Sequence, residues 1–134
     1  MILTAKLHVE GHSMEIEGIS LLSCSYGFVQ DVDQRGMPKS DVKGGTIKIQ
    51  LYSIDDQEIM QWMITSDADK NGKVEFSRDD EDGKVFKTIK FMDARCISYQ
   101  ESFVRDGVML TEILISAREL TISDVTHTNT WSGY

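Results

Sequence analysis

The chain has 134 residues, of which 40% are hydrophobic and 27% are charged, and this length and composition are typical of one soluble globular domain spanning residues 1–134. The chain has 14 Lys and Arg but 22 Asp and Glu, which gives a net charge of −8. This charge argues against general nucleic-acid binding, which needs a basic surface. No stretch approaches the roughly 18 consecutive apolar residues of a membrane-spanning helix, so we expect neither nucleic acid nor a membrane as partner.

At the N-terminus, residues 1–6 lack the basic segment and apolar core of a secretory signal peptide, so we expect the protein to fold in the cytoplasm. From residue 3 onward, apolar and polar residues alternate along most of the chain, the pattern of half-buried strands. Recurring turn signals indicate a β-sandwich or β-barrel. The last strand is apolar on both faces, and one face is a candidate contact surface for a neighbouring subunit. The predicted strands are residues 3–9, 14–16, 22–28, 47–51, 74–76, 85–91, 97–103 and 108–122.

The spacing of apolar residues changes after residue 54 from the period of a strand to that of a helix. Ile59, Trp62 and Met63 fall on one face of this helix. Asp55 with Glu58 three residues later has the spacing of a capping box, which predicts the start of this helix. A helix of about ten residues is too short to be stable alone, so its apolar stripe must pack on the rest of the domain.

Neither the cysteines nor the histidines form a recognisable reactive set. Cys24 and Cys96 lie in apolar, strand-like runs and predict buried free thiols, with a disulfide as the alternative. His8, His12 and His127 have no cysteine or carboxylate at the spacing of a nucleophile and its base, so we predict solvated surface histidines. The chain contains no catalytic or phosphate-binding motif, and it therefore predicts neither enzymatic activity nor a cofactor.

Residues 67–78 nearly spell an EF-hand calcium loop, with oxygen ligands Asp67, Asp69 and Asn71 at the first, third and fifth loop positions. The last loop position requires a bidentate carboxylate but is occupied by an arginine, and the residues that follow alternate like a strand. We therefore predict a helix-to-strand turn at Asn71-Gly72, where positive φ angles are favoured. A calcium-binding module that uses this loop is the alternative.

A polar segment at residues 31–45, called the arm below, separates two of the predicted strands. It contains the only proline of the chain, and loops beyond about 12–15 residues without structure of their own are usually functional or disordered. Because no other part of the chain resembles an active site, we predict that the arm reaches another molecule. The candidate assembly residues are Asp31, Asp33, Arg35, Gly36, Pro38, Lys39, Lys43, Gly44 and Gly45.

The C-terminal tail, residues 124–134, is polar except for Val125, Trp131 and Tyr134, and we expect it to be loosely held unless it docks. Trp131 is a candidate anchor on a partner, because tryptophan is enriched among interface hot spots. The alternative is that Trp131 folds back on its own domain.

Short blocks spread in order over nearly the whole chain carry a family resemblance. They are Cys24-Ser25-Tyr26, Gln30, Asp33, Gly36, Pro38, Ser40, Gly44-Gly45-Thr46-Ile47, Trp62-Met63, Lys70-Asn71-Gly72, Tyr99-Gln100-Glu101-Ser102-Phe103, Ser116-Ala117-Arg118 and residues 127–131. This ordered set resembles the tube protein of type VI secretion systems, an Hcp-like family called TssD, and is most similar to its Bacteroidetes branch.

The resemblance implies a small β-barrel of two packed antiparallel sheets with one short α-helix. It implies six copies in a ring around a pore, with rings stacked into a tube that a contractile sheath expels together with spike proteins. The tube interior can carry secreted effector proteins, and the arm of such a protein typically reaches an adjacent subunit or ring. The protein would be made in the cytoplasm and secreted through this apparatus without a cleaved signal. A phage-type tail tube protein, which shares the architecture, is the alternative.

Overall fold

The computed structural model describes residues 2–39, 42–55, 57–65, 68–80 and 82–131, and the structural statements below concern these residues. Within them, no helix is long and apolar enough to cross a membrane. The elements in chain order are β1 (Leu3–Val9), β2 (Ile19–Ser20), β3 (Ser23–Val29), β4 (Lys43–Tyr52), α1 (Glu58–Ile64), β5 (Lys70–Arg78), β6 (Val85–Phe103), β7 (Met109–Ile122) and β8 (Val125–Thr128).

All these strands join one antiparallel sheet in the order β2-β1-β5-β6-β7-β4-β3, with β8 paired to β7. The long strands β6 and β7 form its centre. The first half of β7 pairs with β4 from Leu110 to Ser116, and the second half pairs with β8 from Glu119 to Ile122. β4 and β8 therefore lie end to end along the same edge of β7.

The sheet curls until its two ends meet. β2 and β3 are the outermost strands of the sheet order, yet only Leu21 and Leu22 separate them in the chain. The Leu21 N–H donates to the Ala5 carbonyl of β1 at 3.0 Å, and the Leu22 N–H donates to the Gln50 carbonyl of β4 at 2.8 Å. Two consecutive residues thus link strands near opposite ends of the sheet. The predicted mainly-β, barrel-like fold with one short helix is confirmed, and its strands form one curled sheet where the resemblance implied two.

One face of the curled sheet carries the core. Buried aliphatic side chains recur at every second residue of β1, β4 and β7, as half-buried strands require. Removing such a side chain from water contributes about 1.5–3 kcal/mol, so these stripes stabilise the curl. The other face of β7 is half-buried, and its cover by a neighbouring subunit stays a prediction. The stripes are Leu7 and Val9, then Ile47, Ile49 and Leu51, then Ile113, Ile115 and Ala117.

The helix α1 packs on the sheet through its apolar stripe, as predicted. The buried Trp62 ring stacks on Phe91 of β6 with the ring centroids 6.5 Å apart. The helix has seven residues, fewer than expected, and the predicted capping box is wrong because the N-cap residue is Gln57, which has no side-chain cap. The Glu58 carboxylate is engaged elsewhere, since it accepts a hydrogen bond from the Ser13 Oγ at 2.7 Å. Glu58 therefore joins the helix to the segment after β1.

The predicted turn at Asn71-Gly72 is wrong. Both residues lie inside β5, where Gly72 pairs with Val9 of β1 and Phe91 of β6. A Cβ atom on Gly72 would lie 2.3 Å from the His8 carbonyl oxygen and 2.5 Å from the Phe91 ring. The close approach of the neighbouring strands, rather than a turn, therefore requires this glycine.

β6 is one strand of 19 residues, where the sequence predicts separate strands at 85–91 and 97–103. Asp93 continues the strand through a left-handed conformation with φ +51°. Its N–H donates to the Asn71 Oδ1 at 2.9 Å, and its carboxylate pairs with Arg118 at 2.6 Å. These contacts hold a kink at which the alternation of buried residues skips one position in both β6 and β7.

Two predictions near β1 are wrong. Residues 14–16 form a turn rather than a strand. The histidines are not solvated, since His8 and His127 are half-buried and His12 is only 7% exposed. The His12 Nδ1 accepts a backbone N–H at 2.9 Å, and its Nε2 lies 3.4 Å from the Glu58 carboxylate. His12 thus ties the turn after β1 to the helix.

The cysteines are free thiols, as predicted. Cys96 is buried and Cys24 is half-buried, and burial raises the pKa of each thiol to about 11. The strands β4 and β7 lie between the two strands that carry them. Neighbouring strands are about 4.8 Å apart, so the two Cα atoms are beyond the roughly 7 Å that a disulfide spans.

Gly72→Ala is expected to lower the free energy of unfolding by about 2–3 kcal/mol, because the added Cβ overlaps a backbone oxygen that cannot move without disturbing the β1–β5 pairing. Gly27→Ala in β3 is the matched control, since a Cβ there meets no atom within 4 Å. Urea unfolding at one protein concentration measures both variants. Equal unfolding midpoints for the two variants would contradict the packing role of Gly72.

Candidate assembly surface

The first part of the arm, residues 31–39, forms a small hairpin of its own and is called the arm hairpin below. The Lys39 N–H donates to the Asp31 carbonyl at 2.9 Å, and an antiparallel bridge joins Val32 to Pro38. Pro38 fixes its own φ near the extended region, which suits this position opposite a bridge partner. The first nine residues of the predicted long loop therefore have a defined hairpin structure.

Asp33 shapes the tip of the arm hairpin. Its Oδ1 accepts the N–H of Arg35 at 2.8 Å and the N–H of Met37 at 3.0 Å. An aspartate that bonds backbone groups a few residues ahead is a common turn former, and these bonds hold the pKa of Asp33 below its usual value. Gly36 completes the turn with φ +82°, a conformation that favours glycine.

The C-terminal end of the arm differs from the prediction. Lys43, Gly44 and Gly45 are strand residues, because β4 begins at Lys43. Ser40 and Asp41 lie outside the described residues. Among the nine candidate residues, the structure thus places six on the arm hairpin and three at the start of β4.

Apolar side chains are exposed along and beside the arm. Val29, Val32, Met37 and Val42, called the arm patch below, are between 42% and 62% exposed. They alternate with charged residues such as Arg35, whose side chain is 84% exposed. Exposed apolar groups rimmed by polar ones are typical of protein–protein contact surfaces.

A second exposed apolar surface lies at the turn between β6 and β7. Phe103, Val104, Val108 and Met109, called the hairpin tip below, are between 47% and 74% exposed. The turn is closed by the Gly107 N–H, which donates to the Val104 carbonyl at 2.8 Å. Turns are usually polar, so four apolar residues around this one indicate a contact surface.

The arm patch and the hairpin tip lie near opposite ends of β4. This strand begins at Lys43, next to the arm, and ends at Tyr52, which pairs with Leu110 beside the hairpin tip. Ten residues of strand extend about 30 Å. The chain therefore presents two different apolar surfaces about 30 Å apart.

The C-terminal tail docks on its own domain. Residues 125–128 form β8, and the Asn129 N–H donates to the Arg118 carbonyl at 2.7 Å. The Arg95 guanidinium lies 6.0 Å from the centroid of the Trp131 ring. Trp131 thus folds back on its own domain, and its role as an anchor on a partner stays a prediction. Residues 132–134 lie outside the described part of the chain.

The EF-hand-like segment does not fold as a calcium loop in its described part. The Asp69 Oδ1 accepts from Arg95 at 2.6 Å, and the Asn71 Oδ1 accepts the Asp93 N–H at 2.9 Å. Asp67 lies outside the described residues. Residues 70–78 are extended strand, and in the described ranges no three His, Cys, Asp or Glu side chains group as metal ligands do.

The sequence interpretation missed the apolar character of the arm. It selected charged residues, glycines and the proline, whereas the exposed groups that suit a contact are Val32, Met37 and Val42. The signal was visible in the sequence, because apolar residues inside an otherwise polar loop have no core to enter. The same signal marks Phe103 and Val104 beside the turn at Asp106-Gly107.

Comparisons with known proteins point to one family. A family model described as TssD, hemolysin coregulated protein Hcp, matches residues 1–132. The chain is similar to the structure of Hcp1 from Flavobacterium johnsoniae, with 27% identity and a TM-score of 0.84 over 94% of this chain and 99% of that chain. No curated protein matches the chain significantly.

More distant solved structures share the fold. Hcp1 from Salmonella typhimurium is 14% identical, with a TM-score of 0.73 over 96% of this chain and 93% of that chain. A chain of the PVC sheath-tube complex, an extracellular contractile injection system, is 17% identical, with a TM-score of 0.59 over 92% of this chain and 88% of that chain. At these identities the likeness shows the fold alone.

Asp33→Ala is expected to raise the hydrogen exchange rates of the Arg35 and Met37 amides by about fivefold, because both lose their acceptor. Asp33→Asn keeps a side-chain oxygen at the same place and is the matched control. Nuclear magnetic resonance measures the two amides individually. If Asp33→Ala leaves both rates unchanged, the side chain does not hold the tip.

The pH dependence of the same tip follows from the lowered pKa of Asp33. The ionised carboxylate is the better acceptor, so its contribution is fully present above the ordinary aspartate pKa of about 3.9 and is lost as pH falls toward the lowered value. The amide shifts of Arg35 and Met37 are expected to titrate with one common midpoint below about 3.9. A midpoint at or above that value would contradict the assignment.

Proposed function

The chain belongs to the hemolysin coregulated protein (Hcp, TssD) family, and from this premise we propose that it is the tube subunit of a type VI secretion apparatus. As a member of this family it is a structural protein rather than an enzyme. Six copies form a ring around a pore, and the rings stack into a tube. A contractile sheath expels the tube with its spike, and the lumen carries effector proteins.

The pair of exposed apolar surfaces at opposite ends of β4 is the observation that carries this proposal. The arm patch and the hairpin tip each expose four apolar side chains, while the core stripes are buried almost completely. Exposed apolar groups that lie close together and are rimmed by polar residues often mark protein–protein contacts. Stacking of one ring on the next covers a surface at each end of the subunit.

Contact between unlike surfaces also explains why a tube forms. When a surface at one end of a subunit contacts a different surface at the other end of the next subunit, the contact has a direction and leaves a free surface for a further copy. Head-to-tail contacts that advance along the tube axis never close and can continue from ring to ring, whereas contacts between like surfaces close into two-fold dimers. The arm suits this role because its hairpin is already shaped by Asp33 and Pro38, so docking orders few new residues.

The route of the protein follows from the family, whose members are secreted by the type VI system. The subunit is made in the cytoplasm and leaves the cell as part of the tube. Its net charge of −8 favours solubility of the free subunit before assembly. The sheath and spike contact the outside and the end of the tube, and effectors enter its pore.

The mass in solution tests the ring. Six copies of the 15.2 kDa chain have a mass of about 91 kDa, and we expect this species in native mass spectrometry and in light scattering. Dilution is expected to release subunits without unfolding them. A monomer that persists at high protein concentration would overturn the proposed ring.

Met37→Glu tests the arm. It places a charge on a side chain that is 57% exposed in the subunit, so the isolated fold is expected to keep its thermal midpoint. If the arm patch is desolvated by a neighbouring copy, the buried charge is expected to weaken assembly by about tenfold or more.

Met37→Leu is the matched control, since it keeps an apolar side chain of similar volume and is expected to assemble like the parent. Light scattering over a concentration series and electron microscopy of negatively stained tubes give the readouts. Equal assembly of the Glu and Leu variants would remove the arm from the proposed contact.

A further inference from the structure

We propose that the C-terminal tail sets the direction in which the arm projects from the barrel, with Asn129 as the positioning residue. The inference rests on the proposed function of the arm as a contact surface. It assigns to the tail a role in assembly without requiring that the tail touch the neighbouring copy.

Asn129 joins three parts of the chain at the base of the arm. Its side-chain Nδ2 donates to the Gly44 carbonyl of β4 at 2.8 Å and to the Ala117 carbonyl of β7 at 3.0 Å. Both protons of the amide are therefore used, and only the nitrogen can face two carbonyl oxygens. The Oδ1 of the same amide accepts from the His127 Nε2 at 3.0 Å, so the orientation of the amide is fixed on both sides.

The glycine pair at the start of β4 makes room for this junction. Gly45 has φ +88°, and a Cβ atom there would lie 2.5 Å from both the Asn129 Nδ2 and the Ala117 carbonyl oxygen. A Cβ atom on Gly44 would overlap the Phe28 ring at 2.2 Å. The lack of side chains at Gly44 and Gly45 therefore lets the tail and Phe28 pack closely around the backbone.

The tail also touches the strand that enters the arm. The His127 ring meets the Phe28 ring edge to face, with centroids 5.2 Å apart and an interplanar angle of 68°. Phe28 lies in β3, shortly before the arm, and Gly44 lies in β4, at the C-terminal end of the arm. His127 and Asn129 thus hold both chain segments that connect the arm to the barrel.

Two further features of the described residues lie at the base of the arm. The β3–β4 pairing shifts register between Gly27 and Val29, close to the start of the arm. The Lys43 ammonium lies 3.3 Å from the Asp31 carboxylate, but both side chains are more than half exposed, and such pairs contribute little. The hydrogen bonds inside the arm hairpin fix its shape and not its direction.

The test measures the direction of the arm within one subunit. Spin labels are attached at Arg35→Cys in the arm hairpin and at Lys90→Cys, an exposed residue of the central strand β6. The native thiols, with pKa values of about 11, label slowly at neutral pH. Mixing labelled chains with excess unlabelled chains leaves distances within one subunit as the signal.

Asn129→Asp is the test variant, because it has the same shape but directs a carboxylate oxygen at the two carbonyl oxygens. We expect the distance distribution to broaden by about twofold as the base of the arm opens. Thr130→Asp adds the same charge one residue further, at an exposed position, and is expected to match the parent. Asn129→Ala, which removes the donors without repulsion, gives a smaller broadening and serves if the Asp variant does not fold.

The outcomes separate this inference from the proposed function. Distributions as narrow in both Asn129 variants as in the parent would overturn the positioning role, whatever Met37→Glu does to assembly. A broader distance distribution in Asn129→Asp, together with weaker assembly of Asn129→Asp and Met37→Glu, supports both the positioning role of Asn129 and the contact role of the arm. Broadening while Met37→Glu and Asn129→Asp both assemble like the parent would keep the positioning role and remove the arm from the contact.

Discussion

The two-residue connection between β2 and β3 is the constraint on which the rest of the structure depends. These strands stand at opposite ends of a seven-strand row, and in a flat sheet six spacings of about 4.8 Å would separate them by about 29 Å. The three Cα–Cα steps from Ser20 to Ser23 span at most about 11 Å. The sheet therefore has to curl, and the hydrogen bonds of Leu21 and Leu22 to β1 and β4 mark where its ends meet. The curl gives one face of the sheet a closed interior, in which the apolar stripes of β1, β4 and β7 are buried.

Long central strands can follow such a curl only if they bend. β6 bends at Asp93, whose left-handed conformation costs about 1–3 kcal/mol in a residue other than glycine. The Asn71 amide and the Arg118 guanidinium offset this cost, because they bond the backbone and the carboxylate of the same residue. Gly72 serves the same curvature differently, by letting β1 and Phe91 approach closely. Asn71, Asp93 and Arg118, three polar residues in the middle of the sheet, thus hold its bend.

Much of the fold was predictable from the hydrophobic pattern, since the alternating stretch Leu3–Val9 and the stretch Met109–Ile122, which is apolar on both faces, are both strands. Two of the errors share one physical origin, which is that a local preference yielded to a distant contact. Asn71-Gly72 has the sequence of a turn, but pairing on both sides holds it in a strand. Glu58 has the spacing of a cap, but Ser13, 45 residues away, takes its carboxylate. For the contact surface, the position of the arm was predictable, whereas its shape depends on bonds that no pattern of hydrophobicity encodes.

Local contacts determine the shape of the arm, and distant contacts are proposed to determine its direction. The shape of its hairpin comes from bonds between near neighbours, such as the bond from the Met37 N–H to the Asp33 Oδ1 four residues earlier. Its direction depends on Asn129 and Gly44, which are 85 residues apart and meet only after β8 has paired with β7. Closing so long a loop costs conformational entropy, and the contacts of the completed sheet offset this cost. If this junction sets the direction of the arm, as proposed, the arm takes its final direction only after β8 has paired with β7.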